Sequence, residues 1–429
     1  MPLLKRATLL IKNIGQLVTM AGPAPRIGSQ MSQLEIIKNG GIAAAASEII
    51  AVGKTGEIEG QTTLAESCTV IDAKGAVVTP GLVDPHTHPV FSMTREAEFE
   101  MRTVGKSYEE IAAAGGGIRA SVRDLRQTRR DVILKKTKVR LDRLLRNGVT
   151  TAEAKSGYGL TTESELMQLE IIKRLNELHS IELVPTFLGA HEVPDEFRNK
   201  REEYINLLIN DMIPEVSKKN LAEFCDVFCE ENVFTIDESR RIQEAAKNHG
   251  LKLKFHADEL KSTGGAELAA SMGATSADHL VYISDTGIKA LASSRTVATL
   301  LPGTSFSLRS KQYAPARKLI EAGAIVALAT DCNPGSSYSE NLPFMTTLAS
   351  LQMKLTAAET ISAITVNAAY AIGLQNRIGR LECGMQADMV LWDMQDYREM
   401  PYHYAVNLAN IVIKKGNPVN VTMRPENQL

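Results

Sequence analysis

This 429-residue chain lacks any basic excess: 48 Lys+Arg stand against 50 Asp+Glu, a formal charge of −2. A nucleic-acid partner needs a cationic surface to neutralise its phosphates, so that class of function is excluded. Long apolar runs are missing too. Nothing approaches the roughly 20 residues that span a bilayer, so no membrane partner is expected. The opening MPLLKRATLLIKNIGQLVTM is broken by polar residues and no small-residue cleavage site follows it. It reads as a strand, not a secretory signal. Cysteine is sparse: Cys68, Cys225, Cys229, Cys332 and Cys383 are odd in number and form no Cys-x-x-Cys pair. They predict no disulfide scaffold and a reducing, cytoplasmic setting. Solenoid repeats and low-complexity tracts are absent, as is a dinucleotide fingerprint after an early strand. Gly115-Gly116-Gly117 lacks the Lys-Ser/Thr of a phosphate-binding loop and reads as a mobile substrate loop or a hinge.

What is present is a globular composition, 44% hydrophobic and 23% charged. At about 150 residues per domain, the length predicts two or three units. The first seventy-odd residues read as short strands closed by Gly, Asn and Asp (ATLLIKNIG, EIIAVGKTG, CTVIDAKG). From residue 77 to 375 the texture changes. Eight apolar runs, beginning with the stretch from Val77 to His88 and ending with AIVALATDCNPG, alternate with amphipathic segments. One such segment, RDVILKKTKVRLDRLLRNG, carries Val132, Ile133, Leu134, Val139, Leu141, Leu144 and Leu145 at near-helical spacing and stops at Asn147-Gly148. Another starts Thr162-Glu163-Ser164-Glu165, in the manner of a capping box.

Runs apolar on both faces, each followed by a helix, imply a parallel sheet under helices. Eight such units predict an α/β fold of the (β/α)8, TIM-like barrel type, with the site at the C-terminal ends of its strands. A doubly wound open sheet is the alternative. The tail, IGRLECGMQADMVLWDM and NIVIKKGNPV, returns to short strands with Gly turns. The expectation is therefore a small β-sandwich domain built from residues 1–76 and 376–429, and a barrel over 77–375.

The polar residues at the strand ends carry the chemistry. The first run ends Asp84-Pro85-His86-Thr87-His88, and residues two apart on a strand share a face, so His86 and His88 can both turn into the barrel mouth. His256 ends the fifth run, His279 the sixth and Asp331 the eighth. Buried His and Asp are costly unless paired or metal-bound, so this coincidence points to a metal centre. His86, His88, His256 and Asp331 offer a His₃Asp set with a position left for water. Glu259, three residues beyond His256, is the expected acid/base, Asp331 doubles as ligand and proton acceptor, and His279 is their polar partner. The expected chemistry is metal-assisted hydrolysis, with zinc, iron or manganese all suited to the donors.

The chain resembles the amidohydrolase superfamily and, within it, the imidazolonepropionase family. The motifs that carry this are PGLVDPHTHPVF, AGGGI, AEAKSGYGL, FLGAHEVP, KFHADEL, SADHL, LLPGTSF, ATDCNPGSS and TVNAAYAIG, spread over nearly the whole chain. The resemblance implies hydrolytic opening of 4-imidazolone-5-propanoate to N-formimidoyl-L-glutamate in histidine degradation, with one zinc or iron ion. It implies metal ligation by His86, His88, His256 and Asp331, acid/base work by Glu259, and His279 at the reacting oxygen. Substrate contacts fall on Arg95, Tyr158, His191, Asn333, Gly335, Ser336 and Tyr108. An anionic tail calls for a guanidinium, and Arg95 stands seven residues after His88. Tyr158, His191 and Asn333 would meet the ring's N–H and C=O groups.

Lys155 is a candidate for the carbamylated bridge of a two-metal site, but it follows the second strand. The fourth, where such a bridge sits, ends in Glu230. A single metal is expected. Cys332 beside Asp331 reads as a buried, inert thiol, and Cys225 and Cys229 as core. His179, His249 and His403 read as solvated. Alternatives are another amidohydrolase, such as a deaminase, or a non-enzymatic barrel. Arg95 argues against the first, because a neutral nucleobase offers no carboxylate to meet it, and the complete ligand set argues against the second. A homodimer is expected, as the commonest soluble assembly.

Overall fold

A computed structural model describes residues 6–106, 110–111 and 115–419. Tyr108 lies outside the described residues. Two eight-stranded sheets make up the fold. The first holds β1 (Ala7–Val18), β2 (Ile36–Ala45), β3 (Glu48–Lys54), β4 (Leu64–Asp72) and β5 (Val77–Pro80). The second holds β6 (Leu82–Asp84), β7 (Val149–Lys155), β8 (Glu182–Ala190), β9 (Phe224–Cys229), β10 (Lys252–Ala257), β11 (Ser276–His279), β12 (Val297–Leu300) and β13 (Val326–Leu328). The chain then returns to the first sheet with β14 (Met389–Trp392), β15 (Ala409–Lys414) and β16 (Asn417–Val419).

The first sheet runs β16-β15-β14-β5-β1-β2-β3, and β4 joins the free half of β1 beside β5. Strands from both chain ends thus share one hydrogen-bonded sheet. Leu9, Ile11, Leu17, Ile42, Leu391 and Ile413 form a core of its own. Lys414 ties this sheet to the barrel: its ammonium lies 2.6 Å from Asp388 and 3.4 Å from Glu182 at the start of β8.

The second sheet is parallel throughout, in the order β13-β12-β11-β10-β9-β8-β7-β6. It curls so that its edge strands meet just beyond their ends. There the amide of Asp331 donates to the carbonyl of His86 (3.1 Å), and that of His88 to the carbonyl of Cys332 (2.9 Å). Asp84, buried on β6, adds to the seam by accepting from the Thr330 amide (3.1 Å) and hydroxyl (2.6 Å). All eight apolar runs supply a barrel strand, but the first divides. Val77–Pro80 pairs with β1 and β14, and only Leu82–Asp84 enters the barrel. Pro80 and Gly81 account for the break, one by lacking an amide hydrogen and the other by lacking a side chain.

Two helices depart in detail from the sequence reading. In Arg130–Arg146, Ile133, Thr137, Arg140, Leu141 and Leu144 face inward, while Val132 and Val139 are exposed. Arg140 takes the inward place because its guanidinium stacks 3.3 Å over the Phe91 ring and donates to the carbonyls of Pro89 and Phe91. In Thr162–Leu178 the N-cap is Thr161, whose hydroxyl accepts from the Ser164 amide (3.2 Å). Glu165 is no cap partner but turns inward to the loop before the helix.

The crossing at Gly81 is tight: a Cβ there would overlap the Thr150 side chain on the neighbouring strand. Gly81→Ala is expected to destabilise the protein by about 1–3 kcal/mol through overpacking. Urea denaturation checks this, and an unchanged midpoint would show that the crossing tolerates a side chain.

Candidate active site

The C-terminal end of the barrel opens into a cavity of about 470 Å³. On its floor, the Nε2 atoms of His86 and His88 lie 3.2 Å apart, and that of His256 lies 3.4 Å from that of His88. Asp331 Oδ1 is 3.5 Å from both His86 Nε2 and His88 Nε2. Donors about 2.0–2.2 Å from a tetrahedral centre stand roughly 3.3–3.6 Å apart, so the spacing and chemistry of His86, His88 and Asp331 fit one divalent cation, with His256 beside His88 as a further donor. Burial, reinforced by neighbouring cations and imidazoles, holds His86 and His88 well below the ordinary histidine pKa, which leaves the neutral rings that ligate metals. Asp331, pushed up to about 6 by burial, is steadied by a 2.6 Å hydrogen bond from the Thr304 hydroxyl.

Beneath the floor lies a layer of charge that is fully shut off from solvent. Lys155 Nζ reaches Asp226 (2.6 Å) and Glu153 (2.9 Å); Lys254 Nζ reaches Glu153 (2.9 Å) and the Pro85 carbonyl (2.8 Å). Asp278 sits 3.8 and 3.9 Å from the two ammonium groups. This layer grips the imidazoles from below: His86 Nδ1 is 2.6 Å from Asp278, and His256 Nδ1 is 3.0 Å from Asp226. A proton on His86 Nδ1 donated to Asp278 leaves its Nε2 lone pair directed upward into the cavity, and the Asp226 carboxylate beside His256 Nδ1 favours the same tautomer there. Burial opposes both charges of the Lys155–Asp226 pair, but mutual attraction wins: the lysine pKa is raised and that of Asp226 is held well below the carboxylate range.

Lys155 is therefore committed to ion pairs within the barrel. Glu230 is turned away as well, with Oε1 accepting from the amides of Glu259 (2.7 Å) and Leu260 (2.9 Å). It fixes the loop that presents Glu259. That carboxyl faces His279 at 3.5 Å, and burial, with Asp331 and Glu230 nearby, pushes its pKa well up. His279, neutral for the same reason of burial, has no hydrogen-bond partner on either ring nitrogen among the described residues.

The remaining predicted residues gather on the walls. Tyr158, His191 and Arg95 line the cavity. Glu165 shapes the Tyr158 loop by accepting from the amides of Gly157, Gly159 and Leu160 (3.0, 2.8 and 2.8 Å). His191 Nδ1 donates to the Gly157 carbonyl at 2.8 Å. Asn333 lines the cavity but is occupied: its carbonyl oxygen takes the amides of Gly335 and Ser336, both at 2.8 Å, and its NH₂ bonds to the Asp331 carbonyl and Ser336 hydroxyl. It organises the loop and has little left for a ligand. Cys332 is buried, and burial pushes its thiol pKa well up. His179, expected in solvent, is instead buried against Asp142 (3.0 Å) because its Nδ1 caps the Ile181 amide. Gly115 and Gly117 are tethered by Arg123 and Glu98.

Glu153, Asp226, Lys254 and Thr304 were not picked out from the sequence. A signal was there: Glu153 and Lys155 alternate on β7, and Lys254 precedes His256 by two on β10. Charges at that parity in otherwise apolar parallel strands must face the barrel interior.

The amidohydrolase family model matches residues 77–424 of the chain. The chain is 51% identical to the imidazolonepropionase of Geobacillus kaustophilus, over 96% of this chain and 97% of that one. It is 46% identical to the imidazolonepropionase of Alkaliphilus metalliredigens over 96% and 97%, and 45% identical to that of Clostridium tetani over 97% and 99%. Among solved structures it is similar to a zinc-bound adenosine deaminase from Xanthomonas campestris (TM-score 0.71, 18% identity, 97% and 93% covered). The guanine deaminase of Escherichia coli is also similar (TM-score 0.69, 15% identity, 96% and 98% covered). The deaminases share the fold; the much closer sequence relatives and the matched family place this chain in the amidohydrolase family, alongside its imidazolonepropionases.

Proposed function

We propose that the protein hydrolyses the ring amide C–N bond of 4-imidazolone-5-propanoate, giving N-formimidoyl-L-glutamate in histidine degradation. The observation that carries this is one cavity with three imidazoles and a carboxylate converging on its floor and a buried guanidinium, Arg95, on its wall. A deaminase acting on a neutral base has no use for that guanidinium; a propanoate tail does.

His86, His88, His256 and Asp331 would hold one divalent ion, with zinc and iron both suited. When bound, the metal supplies Lewis acidity and a water acidified toward neutral pH. Glu259 accepts the proton of the attacking water and delivers it to the departing ring nitrogen, a relay that suits a carboxyl whose pKa burial has raised. His279 hydrogen-bonds to the reacting carbonyl oxygen. Arg95 holds the propanoate, and Tyr158 and His191 orient the ring. The balance is one water added across one C–N bond: the carbonyl carbon becomes a carboxylate and the nitrogen gains a proton. Free cysteines, with none of the described ones in a disulfide, fit a cytoplasmic setting. We take the working assembly to be a homodimer.

The test follows loss of enzymatically generated imidazolone propanoate alongside elemental analysis. Glu259→Gln is expected to keep its metal and lose about 10²-fold or more in kcat, while His256→Ala loses metal and turnover together. Full activity in Glu259→Gln would remove that residue from the proton relay. Arg95→Ala should raise KM for imidazolone propanoate by about 10- to 100-fold and far less for an imidazolone without the tail. Equal effects on both would remove the carboxylate contact. Chelation should abolish turnover, and zinc or ferrous iron should restore it.

A further inference from the structure

The wall that carries Arg95 also carries a second guanidinium that the sequence reading did not single out. Arg95 is the N-cap of the short helix Glu96–Thr103, and Arg102 lies in its last turn. Residues 95, 98 and 102 follow i, i+3, i+7 and so share one helical face. All three side chains line the cavity.

Two positive charges meet one negative charge on this face. Glu98 lies 3.4 Å from Arg95 Nε and spends its other oxygen on the Gly117 amide (3.0 Å). Arg102 makes no ion pair within 4 Å among the described residues. Its Nη2 donates to the Gly335 carbonyl (2.9 Å), and its Nε, like Nε and Nη1 of Arg95, is buried without a hydrogen-bond acceptor. Gly335 is where the two arginines meet. Arg95 packs so closely over its α-carbon that no Cβ would fit, while Arg102 holds its carbonyl. Buried guanidinium donors without acceptors are costly, and an arriving carboxylate supplies two acceptor oxygens and the missing negative charge.

We infer that Arg102 is a specificity-determining residue which, with Arg95, forms a two-guanidinium clamp across Gly335 for the carboxylate of the ligand. This rests on the substrate reading above for the ligand's identity, but the clamp itself is argued from the geometry of the wall. A side chain at position 335 would displace the Arg95 guanidinium from its place over that α-carbon.

The experiment compares Arg102→Gln and Arg102→Lys with the unaltered enzyme in two arms. One measures kcat and KM for imidazolone propanoate and for the tail-less imidazolone. The other uses calorimetry to measure binding of two non-hydrolysable probes, imidazole-4-propanoate and 4-methylimidazole. Arg102→Gln retains a donor for the Gly335 carbonyl but not the charge. The expected result is a loss of about 10- to 100-fold in the preference for the tailed over the tail-less compound, in KM and in probe affinity alike. Arg102→Lys should recover part of that preference. An unchanged preference, or equal weakening of tailed and tail-less compounds, would overturn the clamp and leave Arg102 as a tether for the loop. If the unaltered enzyme fails to hydrolyse imidazolone propanoate, the substrate reading falls. A probe preference lost in Arg102→Gln would then still support the clamp, and a retained one would overturn it.

Discussion

The buried layer of Lys155, Lys254, Glu153, Asp226 and Asp278 is the constraint around which the barrel interior is arranged. Five ionisable groups without solvent exposure would each cost several kcal/mol if left alone. They are tolerable because each ammonium group lies against carboxylates that meet it inside the barrel, Glu153 from β7 and Asp226 from β9, with the Pro85 carbonyl taking another of the Lys254 protons. Such a layer adds little net stability compared with an apolar core, yet removing one member strands its partner, at a cost of about 3–5 kcal/mol. What it contributes is orientation. Asp226 and Asp278 direct two imidazoles, and those imidazoles define where the floor of the cavity can bind a cation.

The levels above inherit that order. Short strands end at the mouth: His256 sits on the next-to-last residue of β10, while His86, His88 and Asp331 follow within four residues of the ends of β6 and β13. Asp331 and His279 have positive φ values of 52° and 75°, unusual for residues with a Cβ and expected where a site imposes its own geometry. Loops then brace the remaining groups: Glu230 holds the Glu259 segment, Glu165 the Tyr158 segment, and Asn333 the turn against which both wall arginines rest.

The strand ends were readable because the chemistry concentrates there. Asp-Pro-His-Thr-His, His-Ala-Asp-Glu and Thr-Asp-Cys-Asn each close an apolar run, and a period of two is enough to place His86 and His88 on one face. The charged layer was less legible because Lys254 and Asp226 sit inside runs that look like ordinary core strands, although Lys254 shares the parity of His256 and so its face. Glu165 and Asn333 show a local role that the sequence does not reveal. A carboxylate near a helix start resembles a cap, but Glu165 accepts from the loop amides before the helix, and Asn333 holds its loop by accepting from the Gly335 and Ser336 amides. Arg102 was hidden because its meaning depends on Arg95, Glu98 and Gly335 meeting in space.

The seam of the barrel has a bearing on biosynthesis. Its two edges are β6 and β13, and the hydrogen bonds that join them run through the backbone of His86, His88, Asp331 and Cys332. A chain emerging from the ribosome presents two of its imidazoles early and the third midway, but the carboxylate arrives only with the last strand. Contacts so distant in sequence form late, after the loop-closure entropy of the intervening chain has been overcome. The four donors therefore come together in the same step that closes the cylinder. The donor set is completed by the strand that closes the barrel, and a barrel without β13 presents only part of it to a passing cation.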